Sequence, residues 1–158
     1  MKKYIALFDV IILLTIGYIM SINVPFPKDT ASGVFSIFDA LYSEEHYGDT
    51  LYIAIMPNQY EEEDLPKFVF LMRNYCLKNG HRLLVKNFDE LVDEGFIVNG
   101  GFEDGIIFGL ESYTASENRV YAHAYIYKGN LSSFGREFTA TYADHDWTLT
   151  SPNRYWIS

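Results

Sequence analysis

Between Arg119 and Tyr127 the chain alternates residue by residue, with Val120, Ala122, Ala124 and Ile126 set against Tyr121, His123, Tyr125 and Tyr127. Successive side chains of a β-strand point to opposite faces. This period of two therefore predicts a strand with one small apolar face to bury and one aromatic face carrying a histidine. A helix would scatter the same residues around its axis. The rest of the C-terminal third fits this reading. Gly105–Tyr113, Arg136–Tyr142 and Trp147–Ile157 also read as strands. Ser116-Glu117-Asn118, the stretch from Gly129 to Gly135, and Asp144-His145-Asp146 supply the turns between them. Trp147 is expected to be largely buried in its strand.

The first half of the domain reads differently. Val34, Phe35, Ile37, Phe38 and Leu41 have the spacing of a short apolar helical face, closed by Glu44-Glu45-His46-Tyr47-Gly48. Leu51 to Met56 is a brief apolar run ended by Pro57, which suits a buried strand. Asp64 then reads as the cap of a helix whose Phe68, Leu71, Met72 and Tyr75 share one face and which Gly80 stops. Arg82–Lys86 is a second short strand, and Asp89–Glu94 a short helix ending at Gly95. Helices early and an antiparallel meander late predict an α+β domain, with helices packed on one face of a curved, mainly antiparallel sheet.

Ahead of this domain lies a segment of another kind. Lys2 and Lys3 precede an apolar stretch from Tyr4 to Ile22, interrupted only by Asp9 and close to the ~20 residues that cross a hydrocarbon core. Leading lysines orient such a segment with its N-terminus in the cytoplasm and the C-terminal domain on the far side. Residues 1–23 are read as a membrane-targeting or anchor helix that partners the membrane through residues 4–22. A cleaved signal peptide competes with that reading. Residues Tyr18 to Asn23, however, contain no good small-residue cleavage site. A soluble core helix would show a polar stripe, and this run has almost none. Residues 24–33, opened by Val24-Pro25-Phe26-Pro27, read as a stiff linker, and 34–158 as one domain. The expected address is membrane-anchored with the domain periplasmic or extracellular, or secreted after cleavage.

Charge narrows the partners. Lys2, Lys3 and Asp9 give residues 1–23 a net +1, so the −9 of the whole chain leaves −10 on residues 24–158. A surface this acidic repels nucleic acid; it suits a basic protein partner, and the plainer reading is that it serves only solubility. The single cysteine, Cys76, excludes an internal disulfide and falls on the apolar side of a helix, as a core residue would. At 49% hydrophobic with 13 Tyr and 12 Phe, the chain has material for a real core without one.

Tyr125 to Ser158 carries Gly129-Asn130-Leu131, Phe138-Thr139-Ala140-Thr141-Tyr142, a polar turn into Trp147, and a closing Trp156-Ile157-Ser158. This last third resembles the terminal strands of small exported bacterial domains of the NTF2-like and cystatin-like groups, some of which are immunity proteins that neutralise a toxin. The resemblance implies a helix-wrapped curved sheet with a pocket, and it carries over no catalytic residue.

The most informative candidate site is His123 between Tyr121 and Tyr125, with Glu111 and Glu137 on neighbouring strands as acid–base partners. If that face lines the sheet's concave side, it forms a ligand site. In the plainer alternative it packs under a helix or faces solvent. Asp144-His145-Asp146 reads as a solvated turn, and Glu61-Glu62-Glu63-Asp64 as helix-capping charge. Asn99 to Gly105 reads as a flexible connection without the pattern of a phosphate loop. No metal, cofactor or catalytic residue is assigned. The expectation is a binding or interaction protein, immunity-type in its sharpest form. The alternative is an NTF2-like pocket protein that binds a small molecule, with His123 as its acid–base group.

Overall fold

A computed structural model describes residues 28–44, 50–130, 132–151 and 155–157. The apolar segment 1–23 lies outside these. Among the described residues no helix is long and apolar enough to cross a membrane. The elements run α1 (Thr30–Glu44), β1 (Tyr52–Ile55), a single 3₁₀ turn (Pro57–Gln59), α2 (Leu65–Asn79), β2 (Arg82–Val85) and α3 (Phe88–Asp93). The strands β3 (Gly105–Ser116), β4 (Arg119–Tyr127), β5 (Ser133–Ala143), β6 (Asp146–Thr150) and β7 (Tyr155–Ile157) complete the domain.

The domain is α+β, with a mixed, mostly antiparallel and unclosed sheet in the order β2-β1-β3-β4-β5-β6. β1 is parallel to both β2 and β3, and every later pairing is antiparallel. β7 also pairs β5, at Phe134–Arg136, beyond the Thr139–Ala143 stretch that β6 occupies. The segment Trp147–Ile157, read from sequence as one strand, is thus two strands sharing one partner. Pro152 between them has no N–H to give to a ladder.

Helices lie on both faces of the sheet, which corrects the one-face expectation. α1 and α2 cover one face, where Ile37, Phe38, Leu41, Phe68, Met72 and Cys76 meet Ile53, Ile55, Phe108, Ala122, Phe138 and Trp147. Ile37, Phe38, Phe68 and Phe108 have no exposed surface, and each is worth about 1.5–3 kcal/mol of burial. On the other face, Leu91 of α3 packs with Ile97 and Phe102 over Ala54, Met56 and Ile107. The cause is legible in β1. Ile53 and Ile55 point one way and Ala54 and Met56 the other, so the strand needs cover on both sides. The chain steps from β1 outward to β2, then back past β1 to β3. Right-handed crossovers taken in opposite directions place their helices on opposite faces.

Local chemistry sets the ends of the helices. α1 starts at Thr30, inside the stretch read as linker, because the Asp29 carboxylate accepts a hydrogen bond from Ser32 N–H at 2.9 Å. α2 ends where Gly80 turns left-handed (φ 79°) and its N–H bonds the Cys76 carbonyl. Asp64 holds the N-cap position that the sequence suggested. Its side chain makes no capping bond and instead accepts one from Tyr113 Oη at 3.2 Å. The expected flexible connection at Asn99 is likewise a tight two-residue turn. Val98 and Gly101 exchange both backbone hydrogen bonds across Asn99 (φ 52°) and Gly100 (φ 74°). Trp147 is 8% exposed, and its ring meets Tyr142 edge-on at 5.3 Å.

Candidate functional site

Three strand-level features build the site. First, β4 has the alternation read from sequence. Val120, Ala122, Ala124 and Ile126 are buried under α1 and α2, while Tyr121, His123, Tyr125 and Tyr127 line the second face. Second, α3 and the Gly95–Phe102 segment cover only part of that face. Tyr125 and Tyr127 pack at the edge of the smaller core, whereas Tyr121 is 37% exposed. Third, β3 outruns β1. The two strands pair only from Gly105 to Phe108, yet β3 continues to Ser116.

The strand order then assembles the polar groups. Ser112 and Glu137 are the cross-strand partners of His123 on either side. A β-bulge between Leu110 and Ser112 leaves Glu111 unmatched and re-aims its side chain. Glu111 Oε2 lies 3.7 Å from His123 Nδ1, and Glu137 Oε1 lies 3.6 Å from Nε2. Tyr121 Oη is 2.8 Å from the same Nε2. The four residues singled out from sequence therefore share one face. Tyr121, His123 and Glu111 form a contact cluster with Glu137, and Tyr125 sits one pleat further along.

Tyr125 is held by a residue that the sequence did not mark. Gln59, in the turn after β1, accepts a hydrogen bond from Leu110 N–H at 2.9 Å and donates one to Tyr125 Oη at 3.0 Å. The Tyr125 ring lies flat across Gly109, where an added Cβ would sit 2.1 Å from its Cζ. Burial raises the Tyr125 pKa. The Gln59 bond opposes that rise and the Glu111 charge adds to it. On the other side of β3, Tyr113 Oη accepts from Glu61 N–H at 2.9 Å and donates to Asp64. Burial is the first cause that pushes Tyr113 up to about 12; the bond from Glu61 opposes it and the Asp64 charge reinforces it. Burial also raises Asp64, partly offset by the Tyr113 bond.

These residues frame an open depression of about 710 Å³, lined by Asn58, Gln59 and Glu61 at one end and by Leu110, Glu111, Ser112, Tyr113 and Tyr125 along β3. Among the described residues its lining includes two carboxylates and no lysine or arginine. It can therefore accept cations and hydrogen-bond donors, and it repels anions. Among the described residues no group of three or more His, Cys, Asp and Glu side chains is arranged to hold a metal ion. Asp144-His145-Asp146 forms a two-residue hairpin turn with both central residues left-handed (φ 53° and 66°), and the Asp146 carboxylate accepts its own neighbour's N–H, from Trp147 at 2.8 Å. Cys76 is 1% exposed, and burial pushes its thiol up to about 11, the opposite of an activated nucleophile. Of the residues lining the depression, Asn58, Gln59, Ser112 and Tyr113 went unnoticed in sequence. Only Pro57, which ends the first strand beside a longer one, hinted at a gap there.

No protein-family model, no curated protein and no solved structure matches the chain.

Proposed function

We propose that the chain is a membrane-tethered, extracytoplasmic binding protein that receives a basic protein partner on its second sheet face. Immunity-type neutralisation of a basic toxin is the sharpest form of this reading. One observation carries it: the uncovered part of that face gathers Glu111 and Glu137 around His123 and the exposed Tyr121, open to solvent and not enclosed. Carboxylates beside aromatic rings on an acidic domain suit arginine and lysine side chains, through charge and cation–π contact. The apolar run after Lys2 and Lys3 supports delivery across a membrane, as the resemblance of the last third to small exported domains does.

The test has two arms. A reporter active only outside the cytoplasm, fused after Ser158, should be active, and the protein should fractionate with membranes. Capture of exported proteins from the same cells should weaken as salt rises and should be lost in the Glu111→Gln, Glu137→Gln double variant, while His123→Gln keeps it. A freely soluble cytosolic protein, or capture indifferent to both salt and the carboxylates, overturns the reading.

The second reading, a pocket protein of NTF2-like type that binds a small molecule, draws on His123 standing between two carboxylates and beside Tyr121. It makes the opposite prediction: salt matters little, and His123→Gln weakens ligand binding or cuts turnover by roughly 10²–10⁴-fold.

A further inference from the structure

The outer edge of β3 is a strand-sized vacancy in the sheet, and the backbone pattern shows which groups it exposes. The Asn118 carbonyl accepts a hydrogen bond from Tyr142 N–H at 2.8 Å, so the even-numbered positions of β4 turn their backbone toward β5 and the odd ones toward β3. On β3, Ser112 and Thr114 lie opposite His123 and Tyr121 and are committed to β4. Tyr113 and Ala115 lie opposite Ala122 and Val120, so their N–H and C=O groups point away from β4, to the edge beyond the end of β1. Leu110 N–H points the same way, and the Gln59 side chain satisfies it. No described residue bonds the Tyr113 or Ala115 backbone on that side.

β1 would cover this edge if it continued, but Pro57 turns the chain aside after Met56. The open depression lies along the line that β1 leaves, lined by Asn58 and Gln59 of the turn and by β3. The exposed part of β3 reads Glu111-Ser112-Tyr113-Thr114-Ala115-Ser116. It has none of the lysines or prolines that usually blunt a free edge, and its serines and threonine tolerate strand pairing. Its charges are acidic: Glu111 and Glu61 line the depression, and Glu117 stands at the far end with Lys28 as its 3.5 Å partner.

We infer that this slot takes an extended, basic segment of the protein partner as an added strand, paired to the outer edge of β3 from Glu111 to Ser116. The inference rests on the basic-partner reading and specifies how that partner is held. Main-chain bonds to Tyr113 and Ala115 supply the register, and lysine or arginine side chains on alternate positions, which share one face, meet Glu111. A second copy of this chain is a poorer occupant, because its own edge would bring Glu111 and Glu117 against like charges.

The full chain is tested with a short blocked peptide of alternating lysine and valine, beside its glutamate–valine counterpart and a version N-methylated on alternate residues. Hydrogen exchange at single amides is the readout. At a lysine peptide concentration about 100 times its Kd, exchange at Tyr113 and Ala115 should slow roughly a hundredfold, as mass action requires for amides covered only in the complex. The N-methylated and glutamate peptides should leave both amides unchanged. Ala115→Pro, which removes an outward N–H without touching the ladder to β4, should abolish the effect. Unchanged wild-type response to the N-methylated peptide keeps the test decisive if that variant fails to fold. Several results overturn the inference. One is salt-sensitive binding of the lysine peptide that protects neither amide, which leaves the acidic face as a docking surface but removes the added strand. A second is protection by the glutamate peptide, which removes the basic chemistry. Protection in a dimer without peptide gives the slot to a second copy. No binding of the lysine peptide at all sinks this inference together with the reading it rests on.

Discussion

The two halves of β3 share a strand and a partner, yet their surroundings differ throughout. From Gly105 to Leu110 every residue is buried, between β1 and β4 and beneath helices on one face and α3 on the other. From Glu111 to Ser116 only Tyr113 is partly covered. The difference comes from neighbours, since the backbone runs on through a single bulge. Where β1 stops, cover stops, and the composition changes with it from Ile106, Ile107, Phe108 and Leu110 to Glu111, Ser112, Thr114 and Ser116. One half holds the fold and the other stands open to solvent.

The sharpest way to break this comparison is to truncate one side chain in each half. Phe108 meets Phe38 edge-on at 5.3 Å and Phe68 at 6.0 Å, with no exposed surface. Phe108→Ala should cost about 3–5 kcal/mol in urea unfolding. Thr114→Ala should stay within about 0.5 kcal/mol, as exposed positions do. Comparable losses at both would erase the distinction.

A smaller effect tests the boundary between the halves. Gln59→Leu leaves the Leu110 N–H without its acceptor and the Tyr125 hydroxyl without its donor, so unfolding free energy should fall by about 1–3 kcal/mol. Tyr125 should titrate differently as well, because the Gln59 bond is what opposes the rise caused by burial. An unaltered phenol titration, measured by tyrosinate absorbance, would show that Gln59 does not organise the junction.

How much of this was legible in sequence depended on whether the cause was local. The β4 alternation fixed which of its residues are buried, because strand period is a property of consecutive residues. It also brought Tyr121, His123 and Tyr125 onto one face, and short turns made Glu111 and Glu137 their neighbours. The bulge at Glu111 left no local mark, nor did the role of Gln59, which exists only because β1 ends beside a longer strand. Asp64 was read rightly as the cap position, but its side-chain partner was not. Its capping chemistry is local, but Tyr113 from a distant strand competes for the same carboxylate and wins. The second helical face was hidden because a short apolar run reads alike whether one side or both are covered.

A further modest effect is expected outside β3, in the β5–β6 turn. Asp144 and His145 are both left-handed, which a non-glycine side chain tolerates at a cost of roughly 1 kcal/mol. His145→Gly should therefore raise stability by about that amount in thermal unfolding and leave binding at β3 untouched. A loss of stability would contradict the turn geometry.

The most direct test of the account is native-state hydrogen exchange on the full chain with no partner added, comparing single amides along β3. Ile106 and Phe108 should exchange only through global unfolding, while Tyr113 and Ala115, which face the open edge, should exchange orders of magnitude faster under the same conditions. Equal protection along the whole strand would mean that the edge is already occupied, and would contradict the division of β3 on which the functional reading stands.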